Sequence, residues 1–133
     1  NLGAAHLDLM EAFGLDAFLI EGMRSYRVQD QYYQRGRGAG GGVVTHARGG
    51  QSFHNFGLAY DIGVQDRRGR YVKDGSDPRY ATAGFLGEFV GLEWGGRWQG
   101  RKFDPSHFQY RGGRSLQEVR SLFEQGKDPL YGY

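Results

Sequence analysis

The stretch Gln51-Ser52-Phe53-His54-Asn55-Phe56-Gly57-Leu58-Ala59-Tyr60-Asp61-Ile62-Gly63, followed by Val64, holds two kinds of pattern. From Leu58 onward the apolar side chains of Leu58, Tyr60, Ile62 and Val64 alternate with Ala59, Asp61 and Gly63. That period of two predicts a β-strand with one buried face and Asp61 on the other. Upstream, Gly57 supplies a bend between His54 and the strand. His54 and Asp61 are therefore two polar groups set around one turn, open at this point to two readings: strand-end polar residues, or two ligands of a metal site.

Working outward, Leu2, Ala5, Leu9 and Phe13, with Leu7 and Met10, predict a first helix that stops at Gly14. Ala17-Phe18-Leu19-Ile20 predicts a short buried strand. Ser25 is positioned to cap a second helix over 26–35, ended by Gly36, and residues 37–50 are a loop. Asp66-Arg67-Arg68-Gly69 turns the chain into a hairpin partner at 70–72. A third helix is expected over 78–92 and an extended segment over 103–110. Ser115-Leu116-Gln117-Glu118 is a capping box opening a last helix, with Leu116, Val119, Leu122 and Phe123 as its buried stripe and Gly126 as its end. Helices flanking a small, mostly antiparallel sheet make the class α+β. At 133 residues the chain is expected to be one domain, 1–133.

Composition narrows the chemistry. No cysteine is present, so disulfides, thiolate-bound zinc and thiol catalysis are all excluded, and any metal must be held by His and carboxylate. Net charge is only +2, but fourteen of the seventeen basic residues are Arg, which suits an anionic partner such as a cell-wall polymer. No apolar run approaches the ~20 residues of a membrane span. The 24 glycines, against an average of ~7%, point to long shaped loops around a site. One group of them, Gly36-Arg37-Gly38-Ala39-Gly40-Gly41, matches the dinucleotide-binding spacing by letter. It lacks the preceding strand and following helix which that fingerprint requires, so neither nucleotide nor nucleic acid is expected as a partner.

Of the four histidines, His6 falls in the first helix, where a surface or helix-packing role is expected, and His46 falls in the glycine loop. His107 is preceded at i−3 by Asp104, in Phe103-Asp104-Pro105-Ser106-His107-Phe108. Hydrolytic zinc takes three protein ligands and keeps one position open. His54, Asp61 and His107 would meet that need, with Asp104 as a further carboxylate to accept a proton from water and return it to a leaving amine. A non-haem iron site ranks below zinc, since its first His and acid usually stand one residue apart.

Ser52-x-His54-x-x-Gly57-x-Ala59-x-Asp61 together with Asp104-x-x-His107 resembles the zinc metallopeptidase family of D-Ala-D-Ala carboxypeptidases and L-alanyl-D-glutamate endopeptidases, whose members include cell-wall hydrolases and phage endolysins. Arg24-Ser25, Gln29, Tyr33, Gly36, Arg37 and Val44-Thr45 extend the resemblance upstream and resemble the endopeptidase branch. The resemblance implies the hedgehog and D-Ala-D-Ala peptidase-like fold, zinc on His54, Asp61 and His107, Asp104 as general base and Arg24 as the group that stabilises the oxyanion. It implies the stem peptide of peptidoglycan as substrate, with a D-Ala-D-Ala carboxypeptidase or dipeptidase, or a non-catalytic zinc module, as rival readings. Ser52 is expected to hydrogen-bond substrate, and Trp98 with Trp94 to wall the cleft. The expected setting is extracytoplasmic, or that of a phage lysis protein acting on the wall, and the expected state is a monomer.

Overall fold

The computed structural model describes residues 1–38 and 40–133, so Ala39 in the glycine loop lies outside the described residues. The elements are α1 (Leu2–Ala12), β1 (Ala17–Glu21), α2 (Tyr26–Gln34), β2 (Ala59–Gln65), β3 (Tyr71–Val72), α3 (Pro78–Phe89), β4 (Glu93–Trp94), β5 (His107–Gln109) and α4 (Leu116–Glu124). Single-turn 3-10 helices occupy Phe53–Phe56, Gly95–Arg97 and Gly100–Lys102. The chain divides into two compact units, one made of Asn1–Glu21 and Tyr60–Tyr110, the other of Gly22–Ala59 and Arg111–Tyr133. Among the described residues, no helix is long and apolar enough to cross a membrane.

The first unit is built on the sheet. Its strands lie in the order β1-β2-β5-β4, with β3 also paired to β2. β1 pairs antiparallel with β2, β3 with β2, and β4 with β5. As the alternation predicts, Ile62 and Val64 are fully buried. They join Met10, Tyr80, Ala83, Leu92, Trp94 and Phe108 in one core, with Tyr60 packed against it. β1 departs from expectation. It ends the strand order, with Leu19 and Ile20 about half exposed, and its register slips between Leu19 and Glu21, so that the pairing skips Ile20 and Glu21 stands opposite Asp61. Its apolar residues line a bulged edge strand and not a buried one.

α1 differs as well. The buried positions are His6 and Met10, whereas Phe13 is exposed. The stripe is rotated because a histidine takes a core position. The His6 ring is satisfied there at both nitrogens, Nε2–H donating to the Ala83 carbonyl at 2.8 Å and Nδ1 accepting from the Tyr60 hydroxyl at 2.7 Å. Burial holds the His6 pKa below its ordinary value, with the Ala83 bond opposing, and pushes the Tyr60 phenol up. α3 stops at Phe89, three residues before the expected end, because Gly91 takes a left-handed φ of 103° and Leu92 turns into the core.

The second unit packs α4 against the His54 turn. Phe53, Phe56, Ala59 and Val119 form its core, with Tyr26, Leu58, Leu116 and Phe123 around them. Both expected caps are present. Ser25 accepts from the Val28 N–H, and Ser115 exchanges hydrogen bonds with Glu118 in a full capping box.

A candidate metal centre

His54 sits on a structure built to hold it. Residues Phe53–Phe56 make one 3-10 turn, opened by Ser52 and closed by Gly57 at φ 72°, the left-handed conformation that glycine adopts without steric cost. The Ser52 hydroxyl accepts from the His54 N–H at 3.3 Å, so the residue expected to contact substrate serves here as the N-cap of the His54 turn. Asn55 is fully buried and uses both ends of its amide. Its Oδ1 accepts from the N–H groups of Gly50 and Ser52, and its Nδ2 donates to the carbonyls of Arg24 and Ser25. The Arg24 N–H in turn donates to the His54 carbonyl at 2.8 Å. The His54 ring is oriented by Nδ1–H donating to the Gly22 carbonyl at 2.8 Å, which puts the lone pair on Nε2.

Arg24 is held on two sides. Its Nη1 donates to Gln29 Oε1 at 2.7 Å, and its guanidinium lies 4.6 Å from the centroid of the Tyr32 ring. Gln29 is fully buried and fixed by donating to the Ala47 carbonyl at 2.8 Å and to Thr45 Oγ1 at 3.3 Å. The motif residues Gln29 and Thr45 are thus the support of Arg24.

Asp61 and His107 meet on the sheet. The Ser106 carbonyl accepts from the Ile62 N–H, which aligns the two segments, and His107 Nδ1 lies 3.2 Å from Asp61 Oδ1. The far side of the ring, Nε2, lies 2.8 Å from Gln109 Oε1, and Gln109 donates from Nε2 to Glu93 Oε2 at 2.9 Å. Burial alone would depress the His107 pKa. The hydrogen bonds with Asp61 and Gln109, and the charges of Asp61 and Asp104, outweigh it and hold the pKa above its ordinary value. A neutral imidazole with its proton on Nε2 would present a lone pair to a carboxylate oxygen, and two acceptors at that distance require a cation between them. A proton or a metal ion would serve.

Asp104 is half-buried in the turn leading to β5. Its N–H donates to the Gly95 carbonyl at 3.0 Å, its carbonyl accepts from the His107 N–H at 3.1 Å, and its Oδ1 accepts from Ser106 Oγ at 3.2 Å. The Pro105 carbonyl is held by the Trp94 indole N–H at 2.8 Å. The two tryptophans therefore part company. Trp94 is a core residue that braces the Asp104 turn, whereas Trp98 places its ring 5.1 Å from that of His107. His46 is exposed.

His54, Asp61 and His107 each offer one ligand atom, and these atoms all lie within 4.8 Å of one another. Neither His6 nor His46 belongs to the group. Two imidazoles and one carboxylate fit a divalent cation such as zinc and leave a position open. Sequence reasoning misses Gln109, Glu93 and Asn55. The spacing of His107 and Gln109, two residues apart on a strand, is the available signal that they share a face.

His54 on its 3-10 turn, Asp61 and His107 on strands, and Asp104 three residues before His107 are the residues that carry the resemblance noted in the sequence. The chain matches, over residues 45–110, a family profile described as D-alanyl-D-alanine carboxypeptidase, in line with the resemblance its motifs show. It is 36% identical, over 99 residues, to the peptidoglycan L-alanyl-D-glutamate endopeptidase CwlK of Bacillus subtilis, a match covering 69% of this chain and 59% of that protein. The chain thus spans about three-fifths of the length of that relative. Two solved structures share the fold. The L-Ala D-Glu endopeptidase ChiX of Serratia marcescens superposes with a TM-score of 0.56 at 24% identity, covering 82% of both chains. The LD-carboxypeptidase LdcB gives 0.61 at 19% identity, covering 98% of this chain and 65% of that one. The α+β expectation, with helices around a small antiparallel sheet, agrees with both.

Proposed function

We propose that residues 1–133 form one catalytic domain of a zinc-dependent peptidase that hydrolyses an amide bond in the peptidoglycan stem peptide, the L-alanyl–D-glutamate bond. The observation that carries the reading is the convergence of His54, Asp61 and His107. The bond assignment follows the endopeptidase relative. The setting is extracytoplasmic or that of a phage lysis protein at the cell wall, and the working form is a monomer.

His54, through Nε2, Asp61 and His107, through Nδ1, would hold the ion. Bound there, zinc would supply a Lewis acid next to the scissile carbonyl. The remaining work falls to the chain. Asp104 takes a proton from the attacking water as the carbon–oxygen bond forms, and delivers it to the departing amine as the carbon–nitrogen bond breaks. Arg24, preset by Gln29, holds the negative charge that develops on the carbonyl oxygen. Trp98 lines the substrate side of His107, and Ser52 offers a hydroxyl proton to a substrate carbonyl while its oxygen caps the His54 turn.

Digestion of purified peptidoglycan tests the reading. The wild type is expected to release new D-Glu amino termini, and Asp104→Ala to release almost none. Equal release by both would remove Asp104 from the chemistry. Metal analysis comes first, and zinc retained in full by His54→Ala would overturn the ligand set. The family profile, described as D-alanyl-D-alanine carboxypeptidase, favours one other reading, in which the same digestion yields free D-Ala instead.

A further inference from the structure

Beyond His107 the hydrogen-bond chain continues to a group that has no place in the reaction described above. Glu93 and Gln109 are register partners in the antiparallel pair of β4 and β5, so their side chains share one face of the sheet. His107 is two residues before Gln109 and shares it too. Gln109 is buried, and both polar atoms of its amide are engaged, Nε2 with Glu93 Oε2 and Oε1 with His107 Nε2.

Each step of this chain is dictated by what the groups can donate. An ionised carboxylate only accepts, so Glu93 requires the amide NH2 of Gln109 to face it. The amide oxygen then faces His107. An amide oxygen also only accepts, so the His107 nitrogen opposite must carry the proton, and that nitrogen is Nε2. The lone pair is thereby left on Nδ1, the atom 3.2 Å from Asp61 Oδ1. Reversing the amide would place an NH2 against Nε2, move the lone pair there and turn an N–H toward Asp61, closing the site to a cation.

We infer that the Glu93–Gln109 pair is a positioning device that fixes the His107 tautomer, so that Nδ1 presents its lone pair to the metal site. Neither residue belongs to the group formed by His54, Asp61 and His107. Glu93 acts through Gln109, and Gln109 through His107. The inference rests on the ligand set proposed above, and adds to it that ligand readiness on this strand is set by a carboxylate two residues removed along the hydrogen-bond chain.

The test measures zinc affinity of the full chain, by competition with a chromophoric chelator, in four proteins: wild type, Glu93→Gln, Gln109→Leu and the double variant Glu93→Gln/Gln109→Glu. In Glu93→Gln the partner can accept as well as donate, so the Gln109 amide is no longer forced one way. In the double variant the carboxylate introduced on β5 accepts both from His107 Nε2–H and from the amide introduced on β4. This restores the polarity of the chain with the charge moved. The two single variants are expected to bind zinc about 10–100-fold more weakly, and the double variant to recover most of that loss. A residue that merely fills space would not be rescued by exchanging the charge. Wild-type affinity in both single variants, or a double variant no better than Glu93→Gln, overturns the inference. If the wild type binds no zinc, the ligand set itself fails. The inference is then decided by 15N NMR of the His107 ring in the metal-free protein at alkaline pH. The expected result is Nε2–H in the wild type and a mixture in Glu93→Gln. The same tautomer population in both would overturn it.

Discussion

Gly84 on α3 and Trp94 on β4 are fitted to each other: a Cβ at position 84 would stand 2.2 Å from the indole ring, and Gly96 closes on that ring as tightly at 2.1 Å. The indole so clamped holds the Pro105 carbonyl, one residue after Asp104. Gly84→Ala is therefore expected to cost about 1–3 kcal/mol through overpacking, and to lower turnover further by displacing the Asp104 turn. Urea unfolding checks the first and peptidoglycan digestion the second. A variant with wild-type stability would show that the ring has room to move.

Buried His6 makes stability depend on acid. Its folded pKa is lowered by burial, whereas the unfolded chain takes up the proton near pH ~6.5. Below that pH the unfolded state binds more protons than the folded one, so stability is present above it and is lost as the pH falls. His6→Gln removes this proton. It is expected to be less stable than the wild type at neutral pH, with the gap narrowing toward pH ~5, which lies within that window. Unfolding midpoints across that range provide the measurement, and a constant gap would contradict the assignment.

Asn55 separates hydrogen bonding from packing. In Asn55→Asp the oxygen facing Gly50 and Ser52 keeps its role, but a second oxygen replaces the NH2 that faces the Arg24 and Ser25 carbonyls. The expected loss exceeds about 2 kcal/mol at neutral pH, and should shrink at acid pH, where the carboxyl carries a proton and donates again. Thermal melts at two pH values read it directly. Insensitivity to pH would mean that the turn rearranges.

Gln29→Met keeps the volume and removes the amide that holds Arg24. Removing an oxyanion donor outright costs ~10²–10³-fold in kcat, so loosening one is expected to cost roughly 10-fold, with zinc content unchanged. Unaltered kcat would show that Arg24 does not depend on Gln29 for its position.

The alternation from Leu58 to Val64 is legible because a strand with one core face writes its period into the chain. The caps at Ser25 and Ser115 are legible because their chemistry is local. His54, Asp61, Asp104 and His107 stand out through spacing and their family resemblance. What stays hidden depends on partners distant in sequence. His6 in the core needs Tyr60 and Ala83, and without them a histidine reads as polar, which rotates the expected helix stripe. The β1 bulge depends on the register against β2. Glu93 and Gln109 acquire meaning only once β4 and β5 are paired.

The bulge also bears on how the molecule behaves in company. A terminal strand with Leu19 and Ile20 half exposed is the kind of rim along which two copies of a chain can zip together. The irregularity at Ile20 cuts the regularly paired run to Ala17, Phe18 and Leu19, and Glu21 follows with a charge. So short a run, ending in an acid, resists fibril-like association at high concentration. Removing Ile20 to straighten the strand would be expected to reduce solubility before it changed the site.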